Sequence, residues 1–184
     1  MRALFLEVDE ALIAERRRRG LDTFDEMWEG VLHVVPQPTG WHQRLAAILI
    51  HQLFDAAQQL GGEVAAEIAV LAGDDDYRVA DLAIYPRSSR GRLGLSGPVW
   101  VVVEIRSPRD ESVAKIGWYL AHRVAQVVLI DQDTLAVEVH TADGPAVPDA
   151  DGLLGLAGVA VRLGSPDPGV LVVETDEGTV RIEP

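Results

Sequence analysis

The sequence predicts an α/β (α+β) fold: one mixed β-sheet flanked by helices. Three observations lead there. Trp41 to Leu60 carries an apolar stripe at helical spacing (Leu45, Ile48, Leu49, Leu53), between Pro38 and the Gly61-Gly62 stop. Three strand-like runs then follow with short links, 63–71, 78–85 and 98–105, which predicts an antiparallel meander. Last, a helical stretch at Ser112–His122 separates 98–105 from the apolar run Gln126–Ile130. A strand–helix–strand crossover implies a right-handed parallel pair. The middle of the chain therefore reads αβββαβ.

Taken in order, Val8 to Arg19 is a short helix closed by Gly20. Trp28 to Val35 alternates as one strand, ended by Pro36 and Pro38. Thr39 or Gly40 opens the long helix. "GDDDY" (73–77) is a turn between two meander strands, and an Arg- and Gly-rich loop fills 87–97. Val99 to Val103 is the most apolar, β-branched run, the composition of a buried strand. Leu135–His140 hairpins with Gln126–Ile130 across Gln132-Asp133. From Thr141 on, Gly, Pro and Asp separate short apolar runs (159–163, 170–174, 179–182), read as small strands.

With 184 residues, 48% of them hydrophobic, the chain fits a single domain, 1–184. It shows no leader and no apolar run of membrane-spanning length, so a cytoplasmic location and no membrane partner are the expectation. The absence of cysteine excludes disulfides, thiolate zinc sites and a cysteine nucleophile. No P-loop or GxGxxG occurs, and "GLSGP" (94–98) is not a serine elbow.

The formal net charge of −13 argues against avid non-specific nucleic-acid binding. Yet arginines cluster at 16–19, at Arg87, Arg90 and Arg92, and at Arg106 and Arg109. They read either as solvated surface or as a phosphate-facing patch on an acidic body. Of the 16 basic residues only Lys115 is lysine. That is either chance or a position that needs a compact ammonium with a tunable pKa.

Asp81 lies within strand 78–85, and Glu104 ends strand 98–105. Antiparallel pairing brings the two together at one end of the sheet. Neighbouring carboxylates resist ionisation unless a cation sits between them. Such a site suits Mg²⁺ or Mn²⁺, with the Ile105 carbonyl as a third oxygen. Lys115, in the next helix, reaches back to stabilise charge there. It shares a helix face with Tyr119. The alternatives are that both acids face solvent and that Lys115 pairs with Glu111 on the surface. Glu29 and His33, on one strand face, are possible neighbours of the site. His42 and His51 lack a zinc-ligand spacing, and His122 and His140 have no evident partner. The four tryptophans read as core or interface.

"DEMWEGVLHVVPQPTGWHQRLAAILIHQL" (25–53), "RVADLAIYP" (78–86), "VVVEIRSPRDESVAKIGWY" (101–119) and "VVLID" (127–131) together resemble the Uma-two family. These are bacterial restriction-endonuclease-like proteins of the PD-(D/E)XK superfamily. The resemblance covers about 20–140 and leaves 141–184 as a β-rich extension. It implies a divalent-metal-dependent endonuclease hydrolysing DNA phosphodiester bonds, with Asp81 and Glu104 as the motif acids. It also implies a possible homodimer. Ala80 stands where the motif has proline, a conformational position. Arg106 replaces the motif lysine and stays protonated near neutral pH, so it is no base. In this family that lysine is often displaced to the following helix, where Lys115 stands. His42 matches a family position at the start of the first core helix. Arg106 is kept as a possible site neighbour. The rival reading, favoured by the charge of −13, is a catalytically silent binding or dimerisation module.

Overall fold

The structure, a computed structural model, describes residues 3–5, 10–20, 22, 24–108 and 110–184. Val8, the expected start of the first helix, and Arg109 lie outside the described residues. The elements run β1 (Ala3–Phe5), α1 (Glu10–Arg19), β2 (Glu26–Trp28), β3 (Val31–Val34), α2 (Gly40–Gln59), β4 (Gly62–Leu71), β5 (Tyr77–Pro86), β6 (Val99–Arg106), α3 (Ser112–Ala121), β7 (Val124–Asp131), β8 (Val137–Thr141) and β9 (Gly144–Pro145). A second sheet follows: β10 (Leu154–Gly155), β11 (Arg162–Gly164), β12 (Leu171–Thr175) and β13 (Gly178–Ile182). The αβββαβ order of α2 to β7 is the expected one.

Local chemistry explains α2. The Thr39 side chain accepts the His42 N–H at 3.2 Å and caps the N-terminus. Leu45, Leu49, Leu53 and Ala57 recur every fourth residue and are buried. At the far end Gly61 adopts φ +72°, a conformation that costs glycine little.

The large sheet runs β1-β3-β2-β5-β6-β7-β8-β9, with β4 also paired to β5. All its pairs are antiparallel except β6 with β7, which are parallel through α3. Strands β5 and β6 are direct antiparallel neighbours (Leu82↔Val103, Ile84↔Val101), as the meander predicts. One apolar layer joins the stripe of α2 to Leu82, Ile84, Val101 and Val103, and continues into Leu163, Leu171 and Val173 of the second sheet. The other packs Tyr119 of α3 on Ala80, Ala83, Val102, Val127 and Leu129.

One feature of this sheet creates the site. Strand β5 pairs with β4 along one edge, from Gly62↔Pro86 to Leu71↔Tyr77. On its other edge β2 touches only at Met27↔Tyr77, and β6 joins only at Leu82–Ile84. Between those contacts the sheet forks. Backbone groups of β5 facing the fork must find partners elsewhere.

The expected single strand Trp28–Val35 is instead a hairpin. Glu29 (φ 50°) and Gly30 (φ 85°) form a two-residue turn, with Trp28 opposite Val31. Two left-handed residues are the geometry of a type I′ turn, whose twist suits the strands it joins.

Candidate active site

The fork holds a buried charge cluster. The Val79 N–H donates to Glu26 Oε1 at 3.1 Å, and the Val79 carbonyl accepts from Lys115 Nζ at 3.3 Å. Side chains thus replace the missing strand partner. Lys115 Nζ lies 2.7 Å from Glu26 Oε1, and 3.2 and 3.1 Å from the two oxygens of Glu104. The Tyr119 hydroxyl donates to Glu104 Oε1 at 2.7 Å. Glu26 and Glu104 are each only 2% exposed. Lys115 and Tyr119, one helical turn apart on α3, both face the sheet. Lys115 is therefore no surface partner of Glu111; the Glu111 carboxylate lies 2.9 Å from His33 Nδ1.

Asp81 stands beside this cluster. Its Oδ2 accepts the Ile105 N–H at 2.6 Å and lies 3.2 Å from His42 Nε2. Among the described residues its Oδ1 has no hydrogen-bond partner. An open pocket of about 440 Å³ is lined by Asp81, Glu104, Ile105, Lys115, His42 and Glu26, among others. The strand end, the α3 face and the α2 N-terminus therefore meet at one place.

The electrostatics follow from one ammonium among three carboxylates. Burial, then the charges of Asp81 and Glu26, push the Glu104 carboxyl up to about 8, although Lys115 and Tyr119 pull the other way. Burial alone lowers the Lys115 pKa, but Glu104, Glu26 and Asp81 outweigh it and raise it. The Tyr119 phenol is raised well above its ordinary value by burial and by Glu104. Lys115 thus stays charged, and the missing positive charge is met by a proton on Glu104.

Glu26 is the residue the sequence reading missed. It sits across the hairpin from His33 and is held by Trp28, whose indole N–H donates to Glu26 Oε2 at 2.6 Å. Trp28 is fixed in turn. Its ring stacks on His33 at 4.0 Å, and the Arg78 guanidinium lies 4.3 Å from both the Trp28 and Trp118 rings. Arg78 donates to the Met27 carbonyl and to Asp76. Burial raises the Asp76 carboxyl, but hydrogen bonds from Trp118 and Arg78 carry it below its usual range.

Two expected neighbours lie elsewhere. Glu29 is exposed in the hairpin turn, because the left-handed Glu29-Gly30 pair folds it away. Arg106 is drawn off by acids on β7 and β8, lying 3.1 Å from Asp131 and 4.0 Å from Glu138. His42 is in the pocket wall. His122 rests on the Trp118 carbonyl and His140 on Glu138. The arginines of α1 fold onto acids: Arg16 on Asp25 at 2.5 Å, Arg17 on Asp22 at 3.7 Å, and Arg18 and Arg19 on Glu15. Arg90 lies 3.1 Å from Glu63.

Residues 16–155 match the model of the Uma2 family, described as "Putative restriction endonuclease". That is 140 of the 184 residues. The chain belongs to the Uma2 family. Among solved structures, the chain is similar to a crystal structure described as a putative nuclease belonging to DUF820, from Anabaena variabilis ATCC 29413. Identity is 22% and the TM-score 0.61, over 71% of this chain and 80% of that one. This likeness shows the shared fold. A search of curated proteins finds no match. No helix among the described residues is long and apolar enough to cross a membrane.

The donor set accords with a hard divalent cation. Every candidate donor is oxygen, Asp81 has a free carboxylate oxygen, and the cluster is short of positive charge. Among the described residues, no three His, Cys, Asp or Glu side chains already converge as ligands of one ion.

Proposed function

We propose that this Uma2 protein is a divalent-cation-dependent endonuclease that hydrolyses DNA phosphodiester bonds, with Asp81, Glu104 and Lys115 at its centre. The observation that carries the reading is the only lysine of the chain, buried at the sheet fork and bonded to Glu104 beside Asp81. A lysine costs much to bury without a purpose for its charge.

Asp81, Glu104 and the Ile105 carbonyl would hold Mg²⁺ or Mn²⁺. A cation held there would neutralise charge at the phosphate and ease ionisation of the attacking water. Lys115 remains protonated, so it acts as a fixed positive charge and not as a base. Its Nζ faces the charge that develops on the phosphoryl oxygens. Tyr119 and Lys115 orient Glu104. His42 and the Ile105 N–H orient Asp81. Glu26 and Trp28 keep the Lys115 stem from leaving the fork. Two such sites would let both strands of a duplex be cut in one encounter, so the reading includes a homodimer.

The test is cleavage of supercoiled plasmid. Wild type should nick or linearise it with Mg²⁺ or Mn²⁺ and stop when the metal is chelated. Glu104→Ala should be inert. Metal-independent cleavage, or cleavage by Glu104→Ala, would overturn the assignment. A second reading, a silent binding module, is favoured by the arginines of α1 lying on Asp22, Asp25 and Glu15. A folded wild-type protein that binds duplex DNA and never cuts it would favour that reading.

A further inference from the structure

We infer that Ser112 is a substrate-contacting residue, whose hydroxyl donates to a non-bridging oxygen of the phosphodiester at the site of Asp81 and Glu104. This rests on the nuclease reading above and adds a residue to it. Ser112 opens α3 and is buried, as are Lys115 and Tyr119 on the same helix. Lys115 is three residues further on, so the two side chains are neighbours on one helix face. Both line the pocket whose wall includes Asp81 and Glu104.

Serine at a helix start ordinarily caps the helix with its own oxygen. Here a neighbour does that work. Asp110 Oδ1 accepts the Ser112 N–H at 3.0 Å, and Asp110 Oδ2 accepts the Ser107 N–H. Ser112 is only 4% exposed, yet among the described residues its Oγ has no hydrogen-bond partner. Nor is that oxygen sealed off. The described side-chain atoms that are both unpartnered and fully enclosed are Arg78 Nε and Gln132 Oε1, so the Ser112 Oγ keeps some surface, and it opens on the pocket. Buried polar groups are almost always paired. A hydroxyl left free on an otherwise buried residue is a donor available to whatever enters that pocket.

The surrounding charges select the ligand. Asp110 and Glu111 precede Ser112, so a free anion is disfavoured at this helix start. A phosphodiester that binds together with a divalent cation is not, because its charge is already met. With Lys115 supplying positive charge on the same face, a neutral hydroxyl adds a hydrogen bond to the phosphate without adding charge. A lysine or arginine in place of Ser112 would pair with Asp110 or Glu111 instead.

The test uses Ser112→Ala, which removes only the hydroxyl. Cleavage of a short labelled DNA duplex with Mn²⁺ should lose roughly ten- to hundredfold in kcat/KM, the worth of one hydrogen bond to a charged group. Sulfur is a poorer acceptor than oxygen, and placing it at either non-bridging position of the scissile phosphate gives two diastereomers. For one of them wild type should lose rate, and Ser112→Ala should lose little further. The melting temperature, and the Mn²⁺ affinity measured calorimetrically without DNA, should not move, because the hydroxyl holds neither the fold nor the cation. Unchanged kcat/KM, or sulfur effects of equal size in both proteins for both diastereomers, overturns the inference and leaves the nuclease reading intact. A joint fall in melting temperature and cleavage overturns it too, since that marks a structural residue. If wild type neither binds nor cuts DNA, both readings fall together.

Discussion

Glu104→Gln isolates the proton that balances the buried cluster. In the wild type the Glu104 carboxyl is raised from 4.5 to about 8, first by burial and then by Asp81 and Glu26. Between those values the native state holds a proton that the unfolded state has released. Stability from this group is therefore present in full below about pH 4.5 and is lost as pH rises through about 8. Each pH unit in that window is worth about 1.4 kcal/mol, so the loss from about pH 5.5 to 7.5 is about 3 kcal/mol. Glu104→Gln has no proton to lose and still accepts from Tyr119. The assay is urea unfolding of both proteins, followed by circular dichroism across this range. The difference in stability between them should change by about 3 kcal/mol, with wild type losing ground as pH rises. Parallel pH profiles for the two proteins would refute the reasoning.

Other outcomes follow from the same geometry. Lys115→Met leaves Glu26 and Glu104 without their shared cation. It should abolish cleavage and cost about 3–5 kcal/mol near pH 8, less near pH 5 where the carboxylates protonate; urea midpoints at the two pH values check this. Trp28→Phe keeps the ring against Arg78 and His33 but removes the donor to Glu26. Chemical denaturation should show a loss of about 1–3 kcal/mol, with slower cleavage. Arg106→Ala breaks only partly exposed pairs with Asp131 and Glu138. It should retain cleavage and lose no more than about 1 kcal/mol in the same measurements.

The parts of this molecule legible in its sequence are those fixed by local pattern. The stripe of α2 sits between a proline and two glycines, so its expected span, Trp41–Leu60, differs from Gly40–Gln59 by one residue at each end. The apolar meander strands and Lys115 on the buried face of α3 are likewise set by composition and spacing. Glu26 was not legible as a site residue, because the alternation of 28–35 hid the Glu29-Gly30 turn. Two left-handed residues ending in glycine were the available signal. Missing that turn misplaced Glu29 and left Glu26 unread. The second hairpin shows a related effect. Leu135 adopts φ 58° and prolongs the turn, so β8 begins at Val137. The fork in the sheet is a long-range matter of where β2 and β6 part along β5, and no local pattern encodes it.

The most direct test is the proton count on metal binding. At pH 7 a carboxyl with a pKa of about 8 is mostly protonated, and a cation that takes its place must displace the proton. Calorimetric titration of wild type with Mn²⁺ in buffers of different ionisation enthalpy measures that release. The account predicts one cation per chain, release close to one proton near pH 7, and weak binding without release in Glu104→Gln. Binding that releases no proton, or that is as tight in Glu104→Gln as in wild type, would contradict it.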